Sequence, residues 1–96
     1  MYSVFTIQRS NRILIDQLLS DDLVGRQSLI QKDGTPFGHE GKIVIVLEGS
    51  PEALEIAGKI LKDGAEKLPE EKASSIYEKI KDEEREADSG MGFLFG

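Results

Sequence analysis

The sequence predicts an α+β fold: a βαββαβ two-layer sandwich on an antiparallel sheet, with an extra C-terminal helix and a short apolar C-terminal strand or tail. Three observations carry this. Residues 43–47, Ile43-Val44-Ile45-Val46-Leu47, are an unbroken apolar, mostly β-branched run, the pattern of a strand buried on both faces. That run leads into Glu48-Gly49-Ser50-Pro51-Glu52. Here Ser50 suits an N-cap, Pro51 the first helical position, and Glu52 the positive end of the helix dipole. Strand and helix patterns also alternate so that the two most apolar strands fall first and third, the central positions of such a sheet.

In chain order, Tyr2-Ser3-Val4-Phe5-Thr6-Ile7 reads as a strand, with Phe5 and Ile7 on one face and Tyr2 and Val4 on the other. Ser10 or Asn11 then caps a helix expected to run to Leu19, packed through Leu14 with Leu18 and Ile15 with Leu19. Leu23 and Val24 tuck back, and Gly25 makes a turn. Residues 26–32 hold only Leu29 and Ile30 as large apolar groups and read as an edge strand. Residues 33–41, with three glycines and Pro36, form a loop into the central strand. The next helix carries Leu54, Ala57, Leu61, Ala65 and Leu68 on one stripe, with a break expected between Gly64 and Pro69. Pro69-Glu70-Glu71 opens a further helix with Ala73, Ile76, Tyr77 and Ile80 on one face. Residues 81–88 are nearly all charged and read as a solvated helix end. Ser89-Gly90 breaks it before the apolar end Met91-Gly92-Phe93-Leu94-Phe95. The expected organisation is one domain over 1–96: a core over 1–68, a charged helix over 69–88 and an apolar tail over 89–96.

This order of elements is the ferredoxin-like arrangement. Its helices cover one face of the sheet, so a central strand that is apolar on both faces needs a second cover. The candidates are a partner's sheet, the helix over 69–88, or the tail. A homodimer or protein partner is expected, with Val44, Val46, Phe93, Leu94 and Phe95 as the interaction surface.

Composition excludes several classes. The chain has 96 residues, 12 Lys and Arg against 18 Asp and Glu, a net charge of −6 and no cysteine. A net acidic chain without a basic stripe is not built for nucleic acid. Disulfides, thiolate chemistry and Cys-bound zinc are ruled out. No apolar run approaches the ~20 residues of a membrane span. The start lacks a signal-peptide pattern, so the expected location is cytoplasmic. Abundant Glu, Lys and Ile would suit a thermophilic protein.

Chemistry-bearing residues are few. His39 is the only histidine, too few for a His-rich metal site, and it reads as an exposed loop residue. No EF-hand spacing exists, and the acidic clusters read as solvated surface, so no metal or other cofactor is expected. No catalytic residue is assigned. Arg9, Asn11 and Arg12 at the first strand-helix turn, with Gly49 and Ser50 at the second, are the candidate ligand-binding set, suited to a carboxylate or phosphate. These two turns are expected to share one end of the sheet, with the His39 loop at the other. The topology and size resemble the acylphosphatases, but their Gly-x-Val-Gln-Gly-Val-x-Phe-Arg loop is absent and their activity does not carry over. The arrangement also resembles the ACT-type regulatory modules, a resemblance of fold alone, which implies small-ligand binding at a dimer interface. The expected function is therefore a non-enzymatic interaction or regulatory module. The alternative is a small-ligand or anion-binding protein using the strand-helix turns.

Overall fold

A computed structural model describes residues 1–95 of the chain, with side chains through Arg85. It is an α+β fold with one antiparallel sheet and three α-helices. The strands are β1 (Tyr2–Gln8), β2 (Ser28–Asp33), β3 (Lys42–Glu48) and β4 (Ala65–Lys67). The helices are α1 (Ile13–Ser20), α2 (Pro51–Leu61) and α3 (Glu70–Phe95). The strand order is β2-β3-β1-β4, and every neighbouring pair is antiparallel.

Alternation along the two central strands divides the core into two layers. Phe5, Ile7, Ile45 and Leu47 face α1 and α2, packing with Ile15, Leu18, Ala57 and Leu61. Val4, Val44 and Val46 face the other way and pack with Leu68, Ala73, Ile76 and Ile80. The second cover of the central strand is therefore the chain's own α3. Val44 and Val46, expected at an intermolecular surface, are 0% and 1% exposed beneath it.

The polar clamp at the end of β3 holds α3 down. Tyr77 stacks on Tyr2, with ring centroids 4.1 Å apart and planes 10° from parallel. The Tyr77 hydroxyl donates to Glu48 Oε2 at 3.2 Å, and Lys81 Nζ pairs with Glu48 Oε1 at 2.9 Å.

Several boundaries differ from the sequence expectation. The first helix is preceded by a 3-10 turn (Arg9–Asn11) and has no side-chain cap. Leu19 is 50% exposed rather than packed, because the chain turns away at Asp21, whose carboxylate accepts from the Leu23 and Val24 amides at 2.9 and 3.0 Å. α2 stops at Leu61, and Ala65 and Leu68 leave the expected helical stripe. Gly64 turns the chain into β4, which pairs with Phe5, Thr6 and Ile7. β4 thus takes the sheet edge that a strand over 91–95 would have needed. The helix continues through Ser89-Gly90 and Gly92 to Phe95; each glycine costs only ~1 kcal/mol in a helix already nucleated. The side chains of Phe93, Leu94 and Phe95, expected at an interaction surface, lie outside the described residues, as does Gly96.

Candidate functional site

The antiparallel pairing of β1 with β3 separates the two expected turns. Gln8 lies opposite Lys42, and Tyr2 opposite Glu48. The β1-α1 turn therefore sits beside the β2-β3 loop, the His39 end of the sheet. Gly49 and Ser50 sit at the opposite end, reversing the expected grouping. Both are also committed locally: the Gly49 amide donates to the Met1 carbonyl at 2.9 Å, and the Ser50 hydroxyl caps α2 by accepting from the Ala53 amide at 3.2 Å. Asn11 turns away too. A Cβ added at Gly64 would lie 3.7 Å from Asn11 Nδ2, which places that amide at the α2-β4 turn.

What remains of the expected set, Arg9 and Arg12, borders a recess of about 340 Å³ together with Gln31, Lys32, Asp33 and Ile43. Two arginines and one carboxylate surround it; Lys32 lies opposite Val44 and sends its side chain to the α3 face. The carboxylate is already engaged. Asp33 Oδ2 receives Arg9 at 2.7 Å, and Oδ1 receives the Thr35 amide at 2.9 Å and the Thr35 hydroxyl at 2.8 Å. The Thr35 amide first, then its hydroxyl and Arg9, hold the Asp33 carboxyl below its usual range. Asp33 therefore stays ionised near neutrality and acts as a tether that aims Arg9. Arg12 makes no ion pair among the described residues, so the recess is left electropositive.

Asp33 was not among the expected site residues. It reaches the site through strand pairing, and Arg9 and Asp33 are 24 residues apart. No local spacing signals that contact. His39 is half-buried, and its amide donates to the Gly34 carbonyl at 2.9 Å. Among the described residues no three His, Asp or Glu side chains gather as a metal site requires. No described helix is long and apolar enough to cross a membrane.

Compared with known proteins, the chain matches no family model, no curated protein and no solved structure. The functional reading rests on the chain's own geometry.

Proposed function

We propose that the protein is a small non-enzymatic binding module of ferredoxin-like topology. It holds an anionic group, a carboxylate or phosphate, in the recess between the β1-α1 turn and β2. The observation that carries this is the gathering of Arg9 and Arg12 around one recess in a chain of net charge −6. Arginine offers a planar fork that matches two anion oxygens, and Arg12 has its fork free of any ion pair among the described residues. The non-enzymatic reading draws support from Asp33, the recess's one carboxylate. Held ionised by three hydrogen bonds, it is a poor proton acceptor near neutrality. The strand order, with α1 and α2 on one face, supports the ferredoxin-like reading.

Titration with inorganic phosphate and with citrate, followed by amide and arginine side-chain NMR, tests the site. Saturable shifts are expected at Arg9, Arg12 and Gln31. Arg12→Ala should weaken binding about tenfold or more, the loss of a charged hydrogen bond worth ~1.5–3 kcal/mol. Shifts that track ionic strength alone, with sodium chloride as effective as phosphate, would remove the proposal.

The expected homodimer draws on a different surface now that α3 covers Val44 and Val46. β2 pairs with β3 along one edge only. Two copies joined along that free edge would form a continuous eight-stranded sheet. Light scattering across a concentration series tests this: a monomer at the highest concentration removes it.

A further inference from the structure

The outer edge of β1 is only half used. β4 pairs with Phe5, Thr6 and Ile7, and one more bond runs from the Leu68 amide to the Val4 carbonyl at 2.9 Å. Continuing that register would set Pro69 opposite Ser3 and Glu70 opposite Tyr2. Pro69 has no amide hydrogen to give, and Glu70 begins α3. The chain therefore leaves the sheet just where the ladder would continue.

Hydrogen-bond parity shows what is left open. In an antiparallel pair, alternate residues point their amide and carbonyl to one side. The Gly49 amide bonds the Met1 carbonyl, so odd-numbered residues of β1 face β3. The Val4 carbonyl meets Leu68, so even-numbered residues face the β4 side. The Tyr2 amide and carbonyl thus point outward along this edge, and no strand pairs with them among the described residues.

They point into a groove of about 860 Å³. Residues 2–4 form its floor. One wall is the first turns of α2, with Pro51 and Leu54; the other is the β4-α3 corner, with Leu68 and Ala73. Glu55 and Glu70 stand on the rim against the single lysine Lys67.

We propose that this groove binds an extended, basic-flanked apolar segment of a partner protein, which adds to the sheet as a strand beside residues 2–4. The segment would complete the row that β4 abandons. A strand in the plane of the sheet turns successive side chains to opposite faces. One therefore meets Leu54 and Pro51, and the next meets Leu68 and Ala73. Two adjacent apolar residues satisfy both walls, and flanking Lys or Arg answers Glu55 and Glu70. This surface lies at the opposite end of β1 from the Arg9–Arg12 recess and does not depend on it.

The probe is the peptide acetyl-Lys-Thr-Val-Val-Thr-Lys-amide, titrated into the full chain and followed by amide NMR. Expected are saturable shifts at residues 2–4, Leu54, Leu68 and Glu70, with slowed exchange of the Tyr2 amide. A version with glutamates in place of its lysines should bind about tenfold more weakly at low salt, and E55K/E70K should reverse that order. A version N-methylated along its backbone should lose binding, since strand addition rests on main-chain hydrogen bonds. Equal binding by the N-methylated peptide, no shift at millimolar peptide, or shifts elsewhere on the molecule would overturn the proposal. So would concentration-dependent shifts at these residues without peptide, which would make a second copy the occupant.

Discussion

Thr6 presents a hydroxyl with no partner. It is 2% exposed, and its Oγ1 makes no hydrogen bond among the described residues. A buried unpaired hydroxyl is a standing cost, and valine keeps the shape without it. Thr6→Val is therefore expected to stabilise the fold by about 1 kcal/mol. The measurement is a raised urea midpoint with unchanged slope; a lowered midpoint would mean that the hydroxyl has a partner in solution. Gly34 behaves in the opposite way. A Cβ there would press on the carbonyl oxygens of His39 and Lys42, both backbone atoms unable to swing aside. Gly34→Ala should cost ~1–3 kcal/mol in the same assay. The sequence marks 33–41 as a loop through its glycines, yet only Gly38 and Gly41 have positive φ, 82° and 78°. Gly34 is needed for space, which depends on neighbours that close over it only in the folded loop. The Ser50 cap, by contrast, was legible because donor and acceptor lie three residues apart.

At the scale of elements, β1, β3 and the start of α2 could be read because their signals are local and strong. β4 could not. Ala65-Glu66-Lys67 has helical propensity, and only the free edge of β1 makes it a strand, a tertiary override of local preference. The role of α3 was half legible: its apolar face was plain, its docking site was not. That docking should depend on pH. Hydrogen bonding from Lys81 first, and also from Tyr77, holds the Glu48 carboxyl below its ordinary range. A depressed carboxyl contributes stability above its ordinary value, which is lost as pH falls through the folded one. The same carboxylate raises Lys81, while burial first and then Glu48 raise Tyr77. Their contributions are whole below their ordinary values and are lost as pH rises through the folded ones. Docking of α3 should therefore be flat from roughly pH 5 to 10 and weaken on either side. Near-ultraviolet circular dichroism reads this directly, since the chain has no tryptophan and its two tyrosines are the stacked pair Tyr2 and Tyr77. Glu48→Gln should abolish the acid limb of that signal. A limb that persists in this variant would place the titrating group elsewhere.

For the whole molecule, the decisive property is which loops share an end. The antiparallel β1-β3 ladder, Tyr2 opposite Glu48 through Gln8 opposite Lys42, sends the β1-α1 turn to one end and the Gly49-Ser50 turn to the other. The expected antiparallel sheet with these two strands central already implies that separation, which the expected grouping of the turns overlooked, so the expected five-residue site divides in two. The division has a measurable consequence. β1 is seven residues long, so the anion recess and the strand-addition groove are separated by roughly 20 Å at ~3.4 Å per residue. That exceeds the ~8 Å screening length at physiological salt, and β1 between them is tied into the sheet on both sides for part of its length. Direct charge coupling is thus weak. The two ligands should bind independently: the phosphate dissociation constant with the groove saturated by the basic peptide should equal that without it. Thermal shifts then add, because each ligand stabilises the folded state through its own occupancy. A several-fold change in phosphate affinity on peptide binding would require β1 or α1 to take up a second arrangement, since screened charge over that distance cannot supply it.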